Sequence, residues 1–211
     1  MALFQNAIEN SMTDLIKLPE PQRDLEFPLM KAIEKRRTKR KWQDSELSEQ
    51  EISNLLWVAC GITHNETNRC KSRRTAPSAC NSQEIKVYIA LSDGVYVYEE
   101  KNHQLIRVHN NDIRENIGTQ KMMHSAPVGL IYVSDYTRLK TFQFKDDERK
   151  WFTSTTDTGF ISQNVYLYCA AANLSTVLLG LIDREKLHKL IGLNENEKIV
   201  YTQVVGRSLS D

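Results

Sequence analysis

Glycine and proline are scarce, 8 and 5 in 211 residues. Collagen-like chains and low-complexity linkers need far more of both, so most of this chain is free to form regular structure. Charge of one sign is also lacking, with a formal net charge of only +1. No broad basic surface follows from that balance, which counts against nucleic acid as a partner. No long apolar run is present, so no membrane contact is expected. Met1–Lys17 is interrupted by Gln5, Asn6, Glu9, Asn10 and Asp14, which leaves no apolar stretch of signal-peptide length. The expected location is the cytoplasm.

Metal-site and nucleophile signatures are missing too. The four cysteines, Cys60, Cys70, Cys80 and Cys169, form no CxxC pair, and the histidines supply no paired spacing. No zinc site is expected, and the thiols read as free in a reducing compartment. The chain contains no GxSxG elbow, no GxxxxGK[ST] loop and no GxGxxG fingerprint. His64, His103, His109, His124 and His188 stand beside no visible carboxylate or thiol arrangement, so each reads as structural or surface.

What is present is an ordinary globular composition, 40% hydrophobic and 26% charged. It suits one domain with a full core. Pro19, Pro21 and Pro28 mark an extended N-terminal arm over residues 1–28, ahead of a single domain over residues 29–211. A short helix is expected from Leu29 to Arg37. Ser48 and Glu51 have capping-box spacing ahead of Ile52, Leu55, Leu56 and Ala59, with Gly61 as the stop. Residues 62–84 read as a long polar loop, a length that points to function. Ile85–Leu91, Val95–Tyr98 and Leu105–Val108 read as strands, the first two joined at Asp93-Gly94. A short helix over Asp112–Thr119, a buried strand over Val128–Val133 and a charged surface segment over 135–150 follow. Asp157–Asn173 reads as a helix buried around much of its circumference. Thr176–Leu179, a helix capped by Asp183 and stopped by Gly192, and a strand over Ile199–Val205 complete the chain. The class is α+β or α/β.

Four segments could carry chemistry. The first is the run Arg36, Arg37, Thr38, Lys39, Arg40 closed by Trp42. Guanidinium forks match phosphate oxygens, and Thr38 adds a hydroxyl donor. The same run could be a solvated face or a polybasic patch. The second is Pro77-Ser78-Ala79-Cys80-Asn81-Ser82-Gln83, whose small residues allow a flat ligand to approach the backbone; an ordinary capped turn would look alike. The third is Asp157-Thr158-Gly159 with Gln163-Asn164, together with Leu179-Gly180, where glycine leaves backbone N–H groups unobstructed. The fourth is Gly206-Arg207 after the last strand.

In this order and at these distances the four segments resemble the nitroreductase family of FMN-dependent oxidoreductases. Arg36–Arg40 before Trp42 is similar to the family's RRSxR, Pro77–Gln83 to its PSxxNxQ, and Asp157 through Asn164 to the start of its long core helix. The resemblance implies an α+β fold, with a central, mainly antiparallel sheet flanked by helices, and an intertwined homodimer with FMN at the interface. It implies that Arg36, Thr38 and Arg40 hold the FMN phosphate and ribityl chain, with Arg37 near them, and that Arg207 closes the phosphate pocket. Pro77, Ser78 and Ala79 would come from the partner chain and lie along the flavin ring. Asn81 and Gln83 would donate to the flavin or brace its loop. The backbone at Leu179 and Gly180 would face flavin N5 and O4, and Gln120 would reach the pyrimidine edge. No side-chain catalytic residue is implied, because the flavin carries the chemistry: hydride from NAD(P)H to N5, then to a small-molecule acceptor such as a nitroaromatic or quinone. The alternatives are an FMN-dependent dehydrogenase of a peptide or small molecule, and a non-catalytic flavin-binding protein. Leu179 departs from the glutamate that many family members carry before the glycine. Cys80 is expected to be buried and inert.

Overall fold

The computed structural model describes residues 15–68, 70–121 and 124–209. Of the N-terminal arm, residues 1–14 therefore lie outside the described residues. Nine strands and four α-helices are labelled here in chain order. Seven strands form one sheet in the order β1 (Leu15–Lys17), β6 (Gln104–His109), β5 (Gly94–Glu99), β4 (Ile85–Leu91), β7 (Val128–Asp135), β9 (Glu197–Arg207) and β8 (Leu174–Leu179). Every neighbouring pair is antiparallel. The helices are α1 (Leu29–Lys35), α2 (Glu49–Cys60), α3 (Asp147–Ala171) and α4 (Arg184–Leu190). The fold is α+β, as expected.

The alternation of strand side chains builds two cores on the two faces of the sheet. Along β4, Val87, Ile89 and Leu91 enter one core and Tyr88 and Ala90 the other. Along β7, Leu130 and Tyr132 alternate with Ile131 and Val133. The first core is closed by Leu55, Leu56 and Ala59 of α2 and by Ile161, Val165 and Cys169 of α3. The capping box forms as the spacing predicts: Ser48 Oγ accepts from Glu51 N, and Glu51 Oε2 accepts from Ser48 N at 2.8 Å.

Several expectations shift. The arm is not free of the sheet: Leu15–Lys17 pairs with β6, a strand too short for periodicity to reveal. Residues 18–28 follow without regular structure but are anchored, because Pro19 O accepts from Ser53 Oγ at 2.6 Å and bonds His103 Nε2 at 3.1 Å. His103 Nδ1 meets the Tyr98 hydroxyl at 2.7 Å, so the ring is a neutral structural bridge, and burial holds its pKa down. The expected loop over 62–84 contains a small hairpin, β2 (Ile62–His64) with β3 (Arg73–Arg74). The β4–β5 turn is Ser92-Asp93, with Gly94 already in the strand. Helix α3 begins ten residues before its expected start, capped by Asp146, whose side chain accepts from Arg149 N. It is also not buried around most of its circumference: Phe152 and Phe160 face outward.

Candidate functional site

Segment 36–42 leaves the end of α1 and runs along the β8–β9 side of the sheet. Lys39 N donates to Thr176 O at 3.1 Å and Gln43 N to Arg207 O at 2.9 Å. Trp42 packs under Gly206, where an added Cβ would sit 2.8 Å from Trp42 Cβ. Arg37 turns back and donates to Glu34 O and Arg36 O, both at 2.8 Å, which satisfies carbonyls that the end of α1 leaves open. Arg36 lies over the Tyr166 ring, 5.7 Å from its centre. Arg40 is exposed. Neither Arg36 nor Arg40 has a carboxylate partner among the described residues.

Tyr166, a residue that sequence reasoning missed, joins this segment to the strand before Gly180. Its hydroxyl accepts from Leu178 N at 3.0 Å and bonds the Thr38 hydroxyl at 3.2 Å. The signal lay in the sequence only as a tyrosine two positions after Asn164. Next to this junction, Thr119 N donates to Leu181 O at 3.2 Å, which brings exposed Gln120 to the same corner as Leu179 and Gly180. Gly118 makes that approach possible, since a Cβ there would lie 2.8 Å from Leu179 Cδ1. Gly180 differs: an added Cβ would meet only the Tyr201 ring, at ordinary contact distance of 3.5 Å. Packing within the chain does not demand glycine at 180.

Arg207 points elsewhere. Its guanidinium pairs with Glu51 Oε2 at 2.6 Å and donates to Glu46 O at 3.4 Å.

The second sequence segment, residues 75–84, sits on α3. Ala79 N donates to Asp157 Oδ2 at 2.9 Å. Asn164 Nδ2 donates to Val58 O at 3.1 Å and Thr75 O at 3.3 Å. Ser78 Oγ accepts from Gln83 N at 3.0 Å. Asn81 Nδ2 and Gln83 Nε2 both donate to Ser72 O, so these two amides brace the loop. Arg138 Nη1 closes the far side on Gln83 O. Cys80, Asn81 and Gln83 hold positive φ of 53°, 49° and 54°, strain of about 1–3 kcal/mol each that the network must offset. Cys80 is exposed, contrary to expectation, because the left-handed turn directs its thiol outward to Gln143 Oε1 at 3.5 Å.

Beneath the loop lie two carboxyls. Asp157 and Glu84 are both buried, and they face each other closely enough for the Glu84 carboxyl to raise the Asp157 pKa. Burial first, and the Glu84 charge second, push the Asp157 carboxyl up to about 7, against the pull of the Ala79 N–H.

Within one chain the two segments do not converge. Asp157 and Tyr166 are nine positions apart on α3. At 1.5 Å and 100° per residue they are separated by about 14 Å and project from opposite sides of the helix.

Among the described residues no helix is long and apolar enough to cross a membrane, and no group of histidines, cysteines and carboxylates has the arrangement to hold a metal.

Comparison with known proteins points one way. The model of the Nitroreductase family matches residues 33–207. A candidate nitroreductase of Methanocaldococcus jannaschii is 25% identical over 190 residues, covering 85% of this chain and 90% of the relative. The crystal structure of a candidate nitroreductase of Ralstonia eutropha is 32% identical, covers 96% of this chain and 93% of its own, and superposes with a TM-score of 0.83. The Escherichia coli microcin synthetase complex McbBCD shares the fold at 18% identity, with a TM-score of 0.67, over 85% of this chain and 73% of its own.

Proposed function

This chain belongs to the nitroreductase family, a family of flavin-using oxidoreductases, and from that premise we propose that it binds FMN and transfers electrons from NAD(P)H to a small-molecule acceptor such as a nitroaromatic or quinone. The observation that carries the reading is the Tyr166 junction. One hydroxyl ties the arginine segment to the strand that ends at Gly180, so a phosphate site and an open backbone edge are held in fixed relation.

The residues fit the cofactor. Arg36 and Arg40 are cations without a carboxylate partner among the described residues, beside the Thr38 hydroxyl, which suits a phosphate. Gly180 leaves space that the chain itself does not fill, which suits a flat ring near the backbone of Leu179 and Gly180. Gln120 stands at that corner for the polar edge of the ring. Arg37 already serves α1 and contributes charge rather than a fork. Arg207 can add its charge only by sharing or releasing Glu51. Bound FMN would supply the redox chemistry at N5. The protein's part is to bind, orient and exclude water.

Pro77, Ser78 and Ala79 enter this reading from a second copy of the chain. The opposite placement of Asp157 and Tyr166 on α3 supports it, since one chain cannot close both segments on one ligand. Exposed Leu29, Met30 and Ile33 on α1 and Phe152 and Phe160 on α3 supply apolar surface for such a homodimer. The four cysteines are free, as thiols kept in a reducing compartment such as the cytoplasm would be.

The test is the visible absorption spectrum of the purified protein, with the released cofactor identified after denaturation. Two flavin bands and released FMN are expected. A colourless protein that takes up no added FMN overturns the reading.

A further inference from the structure

The Glu84–Asp157 pair is not used by that scheme, yet it lies under the loop that carries Pro77, Ser78 and Ala79. Asp157 Oδ2 accepts from Ala79 N, and Glu84 Oε2 accepts from Ser82 Oγ at 2.6 Å. Each carboxyl thus grips the loop at one point, on either side of strained Cys80 and Asn81. The two buried carboxyls also face each other, and they can bond only with a proton between them, since two ionised carboxylates offer no donor. Glu84 Oε1 is buried and has no other donor.

Arg74 acts on Glu84 through its charge, but among the described residues no cation is hydrogen-bonded to either carboxyl. Arg74 of β3 is bonded to Ile85 O and Glu100. Arg138 is bonded to Gln83 O and lies near Asp135, and Lys86 of β4 lies between Asp135 and Glu197. On α3 itself the neighbours one turn away are Thr153, Ser154, Phe160 and Ile161, none charged. Cys60 of α2 is a buried thiol with a raised pKa.

We propose that Glu84 and Asp157 form a proton-operated latch that positions the 77–83 loop. With one proton shared, the pair draws loop and helix together and holds Ala79 in place. When that proton leaves to solvent, two buried carboxylates face each other and the loop lifts from α3. This rests on the flavin reading in one respect: the loop's ligand is taken to be FMN bound by a second copy of the chain.

The pH dependence has a definite sign. Folding raises the Asp157 pKa from 3.8 to about 7, so the native chain holds a proton that the unfolded chain has released. The stability this contributes is full below the unfolded value and is lost as pH rises through about 7.

Asp157→Asn is the matched variant. Its amide oxygen still accepts from Ala79 N, and its NH2 donates to Glu84 permanently. The test compares flavin-free wild type with Asp157→Asn by thermal unfolding between about pH 5 and about pH 8.5, then repeats FMN titrations over the same range. Wild type should lose stability as pH rises and bind FMN at least about fivefold more weakly at the alkaline end, while the variant stays flat in both. Superimposable unfolding profiles overturn the latch. Should Asp157→Asn not fold, hydrogen exchange at the wild-type Ala79 amide decides: exchange beyond the intrinsic alkaline rise supports the latch, and its absence overturns it. A protein that takes up no FMN at any pH overturns the flavin reading instead, and the unfolding profiles still decide the latch.

Discussion

Segment 36–40 leaves Arg36 and Arg40 without carboxylate partners among the described residues, and is tied to the sheet at Lys39 and to α3 at Thr38. Loop 75–84 is bound through many of its polar atoms, to α2 and α3, to Ser72 and to Arg138. The first region keeps its charge available rather than spending it on its own conformation. The second spends its polar groups on its own conformation, carries three left-handed residues and presents backbone rather than charge. Under the proposed flavin reading, the loop would recognise its ligand by shape fixed in advance, and the arginines by charge left uncompensated.

The sharpest way to break this contrast is Asn164→Ala. It strips one donor from two carbonyls, Val58 O and Thr75 O, at the root of the loop. A stability loss of about 1–3 kcal/mol by urea denaturation is expected for groups left unpaired in the interior. No loss would mean that the loop does not depend on its network. Arg36→Ala and Arg40→Ala should do the reverse. Stability should stay within about 0.5 kcal/mol, while FMN affinity falls by about 1.5–3 kcal/mol, roughly ten- to hundredfold. Unchanged titration curves for both variants would remove the phosphate site. The smallest effect concerns Glu51→Gln. Glutamine preserves the capping box but releases Arg207, so FMN should bind up to about fivefold more tightly, the scale of one partly exposed ion pair. Weaker binding would show that Glu51 orients Arg207 rather than occupying it.

The parts of this molecule legible in the sequence are those fixed locally. Ser48 and Glu51 announced α2, and Asp183 and Gly192 bracketed α4, because a cap is a short-range contact. The start of α3 is also written locally, as Asp146 before acidic Asp147 and Glu148, but the surrounding charges suit a surface loop as well as a helix. The four candidate segments could be found by their residue types and order. Their relations could not. Tyr166 matters because β8 places Leu178 N over its hydroxyl, Arg207 meets Glu51 across 156 positions, and Cys80 is exposed because of a backbone turn that no side-chain pattern encodes.

The position of β9 has a consequence in time. The strand lies between β7 and β8, yet it is synthesised after both. Until residues 197–207 emerge and pair, β8 has no neighbour in the sheet, and only the Tyr166 and Lys39 contacts tie it to the segment that carries Thr38. Val128 must find Val205 across most of the second half of the chain, a distant pairing of the kind that slows folding. A nascent chain is therefore blind to any ligand that needs Gly180, and the order of translation makes capture of that ligand one of the last events in the protein's assembly.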